Sequence, residues 1–309
     1  MSHVIVVGAG PLGRAATHAL LGLGHEVTVA TRSGTNLPGA RHVRVDVVTG
    51  NGLDDLPPAE AVVACCNFPY TAKAWRACWP PAIEHLIQAA ATREATLVVA
   101  GNLYANALRM PMRATDPLEP ATVLGEVRAR VSGRLFAAHD AGQVRGVEVR
   151  GSDYFGPDSG DNAHLGRRFF APLLAGRPAR IVGDPDAPHT WTAVQDFGRL
   201  LARAATDPTM SGRAWHVPSA AAMSRREVAT RFLALAGLDH TPRLRPLPGA
   251  LLTALGWFSP TMRAVASLLP QFTTPYLMDD QMTRDLLGET HTPVDETLGA
   301  ILGELRQPD

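Results

Sequence analysis

Short apolar runs alternate with amphipathic stretches through the first half of the chain. The strongest run, Val4–Val7, has four consecutive β-branched residues, which is typical of a strand buried on both faces. Apolar residues at helical spacing come next, and a second apolar run, Val27–Ala30, follows them. Because strands that alternate with helices build parallel sheets, the pattern predicts an α/β fold with a doubly wound parallel sheet.

The same pattern predicts four further strands, and proline and glycine interrupt it beyond Pro157. The strands are predicted over 41–47, 61–66, 96–100 and 146–150, with a helix over 123–141, an arm over 75–79 and a helix over 81–91. Helices near 194–205 and 225–236 and extended pieces at 180–182 and 214–217 indicate a smaller mixed domain. We therefore predict domains 1–158 and 159–309, with a segment near 189–205 returning to the first.

Glycines occupy the turn between the first strand and the first helix. Gly8 permits a tight turn, Gly10 lets the backbone approach a diphosphate, and Gly13 allows close packing of the helix on the strand. Pro11 and Leu12 begin the helix, whose amino-terminal N–H groups attract an anion. Since strand, turn, helix and second strand follow in order, the stretch predicts a Rossmann-type dinucleotide site.

The end of the second strand indicates which dinucleotide binds. An acidic residue there hydrogen-bonds the ribose 2′-hydroxyl of NAD, whereas an arginine suits the 2′-phosphate of NADP. The chain has Thr31, Arg32 and Ser33 at this point and no acid. A guanidinium and two hydroxyls donate hydrogen bonds to a phosphate, so we expect NADP rather than NAD.

Composition limits the class of partner. The 309 residues carry 29 basic and 29 acidic side chains, and Lys73 is the single lysine. This balance does not favour nucleic acid, and no apolar run is long enough to span a membrane. Cys65, Cys66 and Cys78 are too few and too unevenly spaced for a disulfide framework or a zinc site, so we predict reduced thiols, no metal and a cytoplasmic location.

The order of motifs resembles the extended and atypical short-chain dehydrogenase/reductases, in particular the NAD-dependent epimerase/dehydratase group. The residues that carry the resemblance are the glycine turn, the pair Asp46 and Val47, the loop ending in Tyr104, and the stretches 150–157 and 183–196. The resemblance implies that Asp46 and Val47 lie on the adenine side of the cofactor. It places Gly151 and Ser152 beside the nicotinamide. Cys66 and Asn67 lie at the carboxyl end of the fourth strand, the edge where ligands bind in open α/β sheets, so we expect them on the cofactor as well. Because members of this family usually form homodimers, the resemblance also implies a homodimer.

The chain departs from the family in the catalytic residues. The family pairs a tyrosine and a lysine four residues apart, and these positions fall near Leu124 and Arg128. The family's serine or threonine falls near Ala100 or Gly101. Arg128 can bind ribose or a phosphate, but its pKa makes it unfit as a general acid at neutral pH.

Other side chains are then candidates for the chemistry. Tyr104, at the end of the fifth strand, is the first candidate proton donor, with a packing role as the alternative. His189 is a candidate acid or base, and it can equally be structural. Tyr70, Trp75 and Tyr154 are predicted to line the substrate pocket.

Three functions follow from these residues. The leading one is an NADP-binding enzyme that moves hydride between the cofactor and a hydroxyl or carbonyl of a small molecule, either a sugar nucleotide or a secondary metabolite. The second is a non-redox isomerase, lyase or cyclase on the same scaffold, favoured by the absence of the tyrosine and lysine pair. The third is a binding protein that senses nicotinamide nucleotides.

Overall fold

The structure is a computed structural model that describes residues 2–160 and 163–307. Its strands are β1 (His3–Val7), β2 (Glu26–Thr31), β3 (Arg41–Arg44), β4 (Ala61–Ala64), β5 (Thr96–Asn102), β6 (Met112–Arg113), β7 (Arg145–Gly151), β8 (Tyr154–Phe155), β9 (Ala179–Val182), β10 (Thr192–Ala193), β11 (Ala214–His216), β12 (Leu244–Leu247) and β13 (Met278–Asp279). Its helices are α1 (Pro11–Gly22), α2 (Ala72–Ala91), α3 (Val123–Asp140), α4 (Arg167–Leu174), α5 (Val194–Thr206), α6 (Arg225–Leu235), α7 (Gly249–Phe258), α8 (Pro260–Ser267), α9 (Pro270–Thr273), α10 (Gln281–Leu287) and α11 (Val294–Arg306).

Seven strands form one parallel sheet in the order β11-β7-β5-β4-β1-β2-β3. The chain starts at β1, adds β2 and β3 on one side and then β4, β5, β7 and β11 on the other. The strand order therefore reverses between β1 and β4, and in open α/β sheets ligands bind outside the carboxyl ends of the strands at such a point. The predicted doubly wound, Rossmann-type sheet is confirmed.

Burial explains the apolar runs of the central strands. Val4, Ile5 and Val6 of β1 and Val62 and Val63 of β4 are all fully buried. Helix α1 packs on β1 and β2, α2 on β4 and β5, and α3 on β7. Strands covered by helices need apolar residues at every position, which is why these sequences do not alternate.

Helix α2 differs from the sequence prediction. It runs without a break through Pro80 and Pro81, where we predicted an arm followed by a shorter helix. Thr71 caps the amino terminus by accepting a hydrogen bond from Ala74 N at 3.1 Å. Trp75 and Trp79 lie one helical turn apart and are both fully buried. Each interior proline costs a helix roughly 3 kcal/mol, and the burial of two indole rings offsets the cost of these two.

The extended piece at 214–217 also differs from its predicted place. We assigned it to the smaller domain, whereas the structure makes it β11, the outer strand of the main sheet beside β7. Ala214 pairs with Glu148, and Val217 N donates to Arg150 O at 2.9 Å. Three residues are too short a run for the sequence to indicate which sheet they join.

The chain divides into two compact units. The sheet unit comprises Met1–Asn106, Ala114–Gly151 and Phe197–Val217, and the carboxyl-terminal unit comprises Ala107–Arg113, Ser152–Asp196 and Pro218–Asp309. The predicted division into domains 1–158 and 159–309, with a segment near 189–205 returning to the first, stays a prediction.

The carboxyl-terminal unit combines three two-stranded pairings with helices. Strand β10 pairs with β8, β12 with β9 and β13 with β6. Its core gathers aromatic and aliphatic side chains that include Phe155, Phe170, Trp191, Phe232 and Leu298. Within the described residues, no helix is both long and apolar enough to cross a membrane.

Candidate functional site

The glycine turn joins β1 to α1 beside the end of β4. Gly8 has φ +103°, a left-handed conformation that favours glycine. A Cβ on Gly8 would lie 2.9 Å from Cys66 N, and one on Gly13 would lie 1.9 Å from Gly8 O. The turn and the first helix therefore pack closer to the sheet than any other residue type allows.

Gly10 has different surroundings, because a Cβ there would meet no protein atom within 4 Å. It is the N-cap of α1, no side chain caps this helix end, and Pro11 occupies the first turn. Leu12 follows it, and the nearby Arg14 donates from Nε to Ala9 O at 3.2 Å. Uncapped N–H groups beside open space are the arrangement that binds phosphate at a helix amino terminus.

The loop after β2 holds the residues predicted to select the nucleotide. Thr31 Oγ1 accepts a hydrogen bond from Thr35 N at 2.9 Å, and Ser33 Oγ lies 2.7 Å from Thr35 Oγ1. Arg32 is exposed. Sequence reasoning missed Arg44, whose Nε lies 3.0 Å from where a Cβ on Gly34 would stand. Arg44 reaches this loop because the parallel register of β2 and β3 pairs it with Thr31, and no local sequence pattern indicates that pairing.

Residues after β3 and β4 contribute further polar groups. Asp46 Oδ1 accepts from Val48 N at 2.9 Å, which fixes the turn containing the buried Val47. Asn67 Oδ1 accepts from Phe68 N at 2.9 Å. Burial raises the pKa of Cys66 to about 11, while the charges of Arg128 and Arg32 lower it by smaller amounts. The Cys66 thiol is therefore neutral at neutral pH.

Two predicted pocket residues, Tyr70 and Trp75, form an aromatic cluster with the candidate proton donor Tyr104 at the end of β5. The Tyr70 hydroxyl donates to the Tyr104 hydroxyl at 2.8 Å. Trp75 stacks on Tyr104 with 6.3 Å between ring centroids and 26° between planes. Asn102 Oδ1 accepts from Tyr104 N at 3.1 Å, so the end of β5 holds the tyrosine backbone in place.

Arg128 lies buried beside this cluster. Its Nη2 donates to Ala100 O at 2.9 Å, and its Cζ lies 4.5 Å from the Trp79 ring centroid and 5.8 Å from that of Trp75. Burial lowers the pKa of Arg128, and the charges of Glu148, Cys66 and Tyr104 raise it. Leu124, one turn earlier on α3, is buried.

A buried polar network stands where the family's serine or threonine falls. A Cβ on Gly101 would lie 2.7 Å from Glu148 Oε1, so the Glu148 carboxylate takes the space of a side chain at 101. Glu148 Oε2 accepts from Ser132 Oγ at 2.7 Å and from Arg150 Nη2 at 2.6 Å. Sequence reasoning missed this network, because glutamate and arginine alternate on β7 as they would on a half-exposed strand.

His189 lies in the carboxyl-terminal unit and is fully enclosed. Its ring stacks on Trp191 at 4.2 Å and on Tyr276 at 4.9 Å between centroids. Its Nε2 lies 3.0 Å from Asp153 Oδ2 and 3.5 Å from Ser152 Oγ. Sequence reasoning did not predict the contact with Asp153.

Further groups surround that carboxylate. Burial raises the pKa of Asp153, but His189, His164 and Arg225 outweigh burial and lower it. Burial lowers the pKa of His164 to about 4 and that of Arg225 to about 10. Tyr154 is half-buried, and burial raises its pKa.

Each unit thus brings together its own set of predicted residues. Tyr70, Trp75, Tyr104 and Arg128 meet in the sheet unit, where Gly151 ends β7. Ser152 and His189 meet in the carboxyl-terminal unit. Among the described residues, no cluster of three or more His, Cys, Asp or Glu side chains is arranged to hold a metal ion.

Comparison with known proteins places the chain in a family. The family profile described as "NAD dependent epimerase/dehydratase family" matches residues 4–217. The chain belongs to this family. The resemblance found in the sequence is thereby confirmed, and no curated protein sequence matches the chain significantly.

Solved structures of similar fold cover nearly the whole chain. The Bordetella bronchiseptica enzyme WbmH in complex with NAD+ has TM-score 0.76 at 18% identity, covering 99% of this chain and 99% of that chain. The UDP-N-acetylglucosamine 4-epimerase from Bacillus cereus has TM-score 0.79 at 15% identity, covering 100% and 98%. The Thermus thermophilus UDP-glucose 4-epimerase in complex with NAD has TM-score 0.78 at 18% identity, covering 98% and 99%. These likenesses establish a common fold.

Proposed function

We propose that the chain is an NADP-dependent oxidoreductase of the epimerase/dehydratase family that acts on a carbonyl or hydroxyl of a small molecule. The observation that carries the proposal is the hydroxyl pair of Tyr70 and Tyr104 at the carboxyl end of β5. It supplies a proton donor at the edge of the sheet where ligands bind in open α/β folds.

The glycine turn supports a nicotinamide dinucleotide. Its uncapped helix end and the open space at Gly10 suit a diphosphate. Neighbours named in complex with NAD belong to the same fold class. On the adenine side, Asp46 would face the base, and Cys66, Asn67, Gly151 and Ser152 would lie along the nicotinamide half.

The preference for NADP rests on two arginines of this chain. Arg32 follows β2 and Arg44 ends β3, which is the neighbouring parallel strand. Together they offer two guanidinium groups to a ribose 2′-phosphate. No carboxylate at the end of β2 would repel that phosphate, since Thr31, Arg32 and Ser33 stand there.

Tyr104 supplies the proton in the proposed reaction. Bound NADPH would supply a hydride to the carbonyl carbon, and the carbonyl oxygen would take the proton of the Tyr104 hydroxyl. Tyr70 donates its own hydrogen bond to the Tyr104 oxygen, so it stabilises the phenolate that forms. Arg128 adds a positive charge close enough to act on Tyr104. A catalytic role for His189 and a substrate-binding role for Tyr154 stay predictions.

The experiment is an assay of NADPH consumption over a panel of aldehydes, ketones and sugar nucleotides. We expect Tyr104→Phe to lower kcat by roughly 100-fold or more, the usual contribution of a positioned general acid. Tyr70→Phe serves as the matched control and should cost less, because it removes only the supporting hydrogen bond. Unchanged turnover in Tyr104→Phe would overturn the assignment.

A non-redox reaction on the same scaffold is the second candidate. Leu124 and Gly101 stand where the family keeps a tyrosine and a hydroxyl, and this departure favours it. Tight binding of NADPH without consumption by any carbonyl compound would support this candidate or a nucleotide sensor. The homodimer and the cytoplasmic location also stay predictions.

A further inference from the structure

Four buried nitrogen atoms around Arg128 have no hydrogen-bond acceptor among the described residues. They are Nε and Nη1 of Arg128 and the Nε1 atoms of Trp75 and Trp79. Arg128 is 7% exposed and both tryptophans are 0% exposed. Every one of these atoms is a donor, and a guanidinium or an indole cannot accept a hydrogen bond. A buried donor without a partner is destabilising, so these four nitrogen atoms favour the binding of an acceptor.

The charges around Arg128 do not balance. Glu148 is the carboxylate acting on Arg128, but Arg150 and Ser132 already hold its Oε2 atom. Cys66 is neutral, since burial raises its pKa to about 11. Two buried arginines therefore share one carboxylate, which leaves one positive charge without a counter-ion among the residues that the structure describes. A neutral hydroxyl satisfies a donor but not a buried charge, whereas an anion satisfies both.

Contacts on several sides hold the side chains of the cluster in place. The Arg128 guanidinium is held by Ala100 O on one side and lies over the Trp79 ring on the other. Tyr104 stacks on Trp75, so the proposed proton donor belongs to the same cluster. A Cβ on Gly125 would lie 2.1 Å from Tyr104 O, which shows how tightly α3 and Arg128 are held against this loop.

We infer that Arg128, with the indole N–H groups of Trp75 and Trp79, forms a binding site for an anionic oxygen of the substrate, so that the substrate is a carbonyl compound bearing a compact carboxylate or an ionised enol. The inference rests on the proposed function, because it places this oxygen beside the carbonyl that Tyr104 protonates. It extends that function by naming a substrate class.

The test compares acetate with acetamide, which has nearly the same shape and no charge. Acetate should raise the Tm of the full chain by about 1–2 °C more than acetamide does at equal concentration, the effect of about 1 kcal/mol on a chain of this size. Arg128→Met should abolish the difference. Arg134→Met, on the same helix but paired with Glu84 at the surface, should keep it and also controls for non-specific salt effects. Equal effects of acetate and acetamide on the unmodified protein would overturn the inference, whether or not Arg128→Met folds.

Inhibition separates this inference from the proposed function. If the protein reduces carbonyl compounds with NADPH, and acetate competes with them by raising KM without changing kcat, the anion site and the oxidoreductase function are both supported. If NADPH is consumed and acetate neither competes nor stabilises, the anion site is wrong and the oxidoreductase stands. If acetate stabilises through Arg128 and no carbonyl compound is turned over, the anion site stands and the oxidoreductase fails.

Discussion

Gly10 and Gly13 lie three residues apart in the amino-terminal turn, yet they are glycine for different reasons. A Cβ on Gly13 would overlap Gly8 O at 1.9 Å, whereas one on Gly10 would touch nothing. The protein's own packing therefore requires Gly13 but not Gly10. The open space beside Gly10 at the amino terminus of α1 is where we propose that the diphosphate binds.

Gly10→Asp should separate folding from binding. Asp is a preferred N-cap, so the Tm should stay the same or rise slightly. Its negative charge would face the diphosphate, and we expect NADPH to bind about 100-fold more weakly by calorimetry. Gly13→Ala is the comparison and should lower stability by about 1–3 kcal/mol. If Gly10→Asp binds NADPH normally, the diphosphate is held elsewhere.

Arg32→Gln should change the choice of nucleotide. A hydrogen bond to a charged group contributes about 1.5–3 kcal/mol, so affinity for NADPH should fall roughly 10-fold to 100-fold while affinity for NADH stays the same. Arg41→Gln removes another exposed arginine, which pairs with Glu26 at 3.5 Å, and should leave both affinities unchanged. Equal weakening of NADH and NADPH binding by Arg32→Gln would contradict the proposal that Arg32 binds the 2′-phosphate.

Helix α3 carries two glycines with opposite expected effects. Gly125→Ala would press a Cβ to within 2.1 Å of Tyr104 O and should lower stability by about 1–3 kcal/mol together with activity. Gly133→Ala, exposed with nothing within 4 Å, should raise stability by about 0.5–1 kcal/mol. Thermal unfolding followed by circular dichroism measures both. A loss of stability in both variants would mean that α3 packs differently.

Elements with strong local patterns were predictable from the sequence. Strands β1, β2, β4 and β5 are buried β-branched or small apolar runs, and α3 keeps its predicted start at Val123 and ends one residue early. The path of α2 through Pro80 and Pro81 was not predictable, because burial of Trp75 and Trp79 decides it. Helices α7 to α9 were missed for a related reason, since each begins at or next to a proline or glycine that the sequence marks as a break.

Only the part of the candidate site that is formed by neighbouring residues in the chain was predictable from the sequence. The glycine turn needs consecutive residues, so the motif indicated it. Other parts of the site depend on contacts between separate strands and helices, which no spacing along the chain indicates. They are the approach of Arg44 to Gly34, that of Glu148 to Gly101, and the stacking of Trp75 on Tyr104. The unsatisfied donors of Arg128 likewise emerge only once burial is known.

The stability of the whole molecule should depend on buried ionisable groups in the carboxyl-terminal unit. Burial lowers the pKa of His164 to about 4 from the ordinary 6.5, so between these values the unfolded chain binds a proton that the folded chain does not. Stability should therefore fall as pH drops from 6.5 to 4. Asp153, whose pKa is also lowered, should add a further loss below its usual value near 3.8.

Urea unfolding between pH 7 and pH 4 measures this dependence. His164→Phe keeps a ring against Phe272, which lies 4.2 Å from the histidine ring, and removes the titrating group. Its stability should change less over this range than that of the unmodified protein. An unchanged pH profile in His164→Phe would assign the acid sensitivity to other residues.

The proposed function requires a nicotinamide dinucleotide held at the junction of β1, β2 and β4. Calorimetric titration of the unmodified protein with NADPH, and separately with NADH, tests this most directly. We predict one nucleotide per chain and at least 10-fold tighter binding of NADPH. Absence of binding by both nucleotides would contradict the site, and equal or tighter binding of NADH would contradict the role of Arg32 and Arg44.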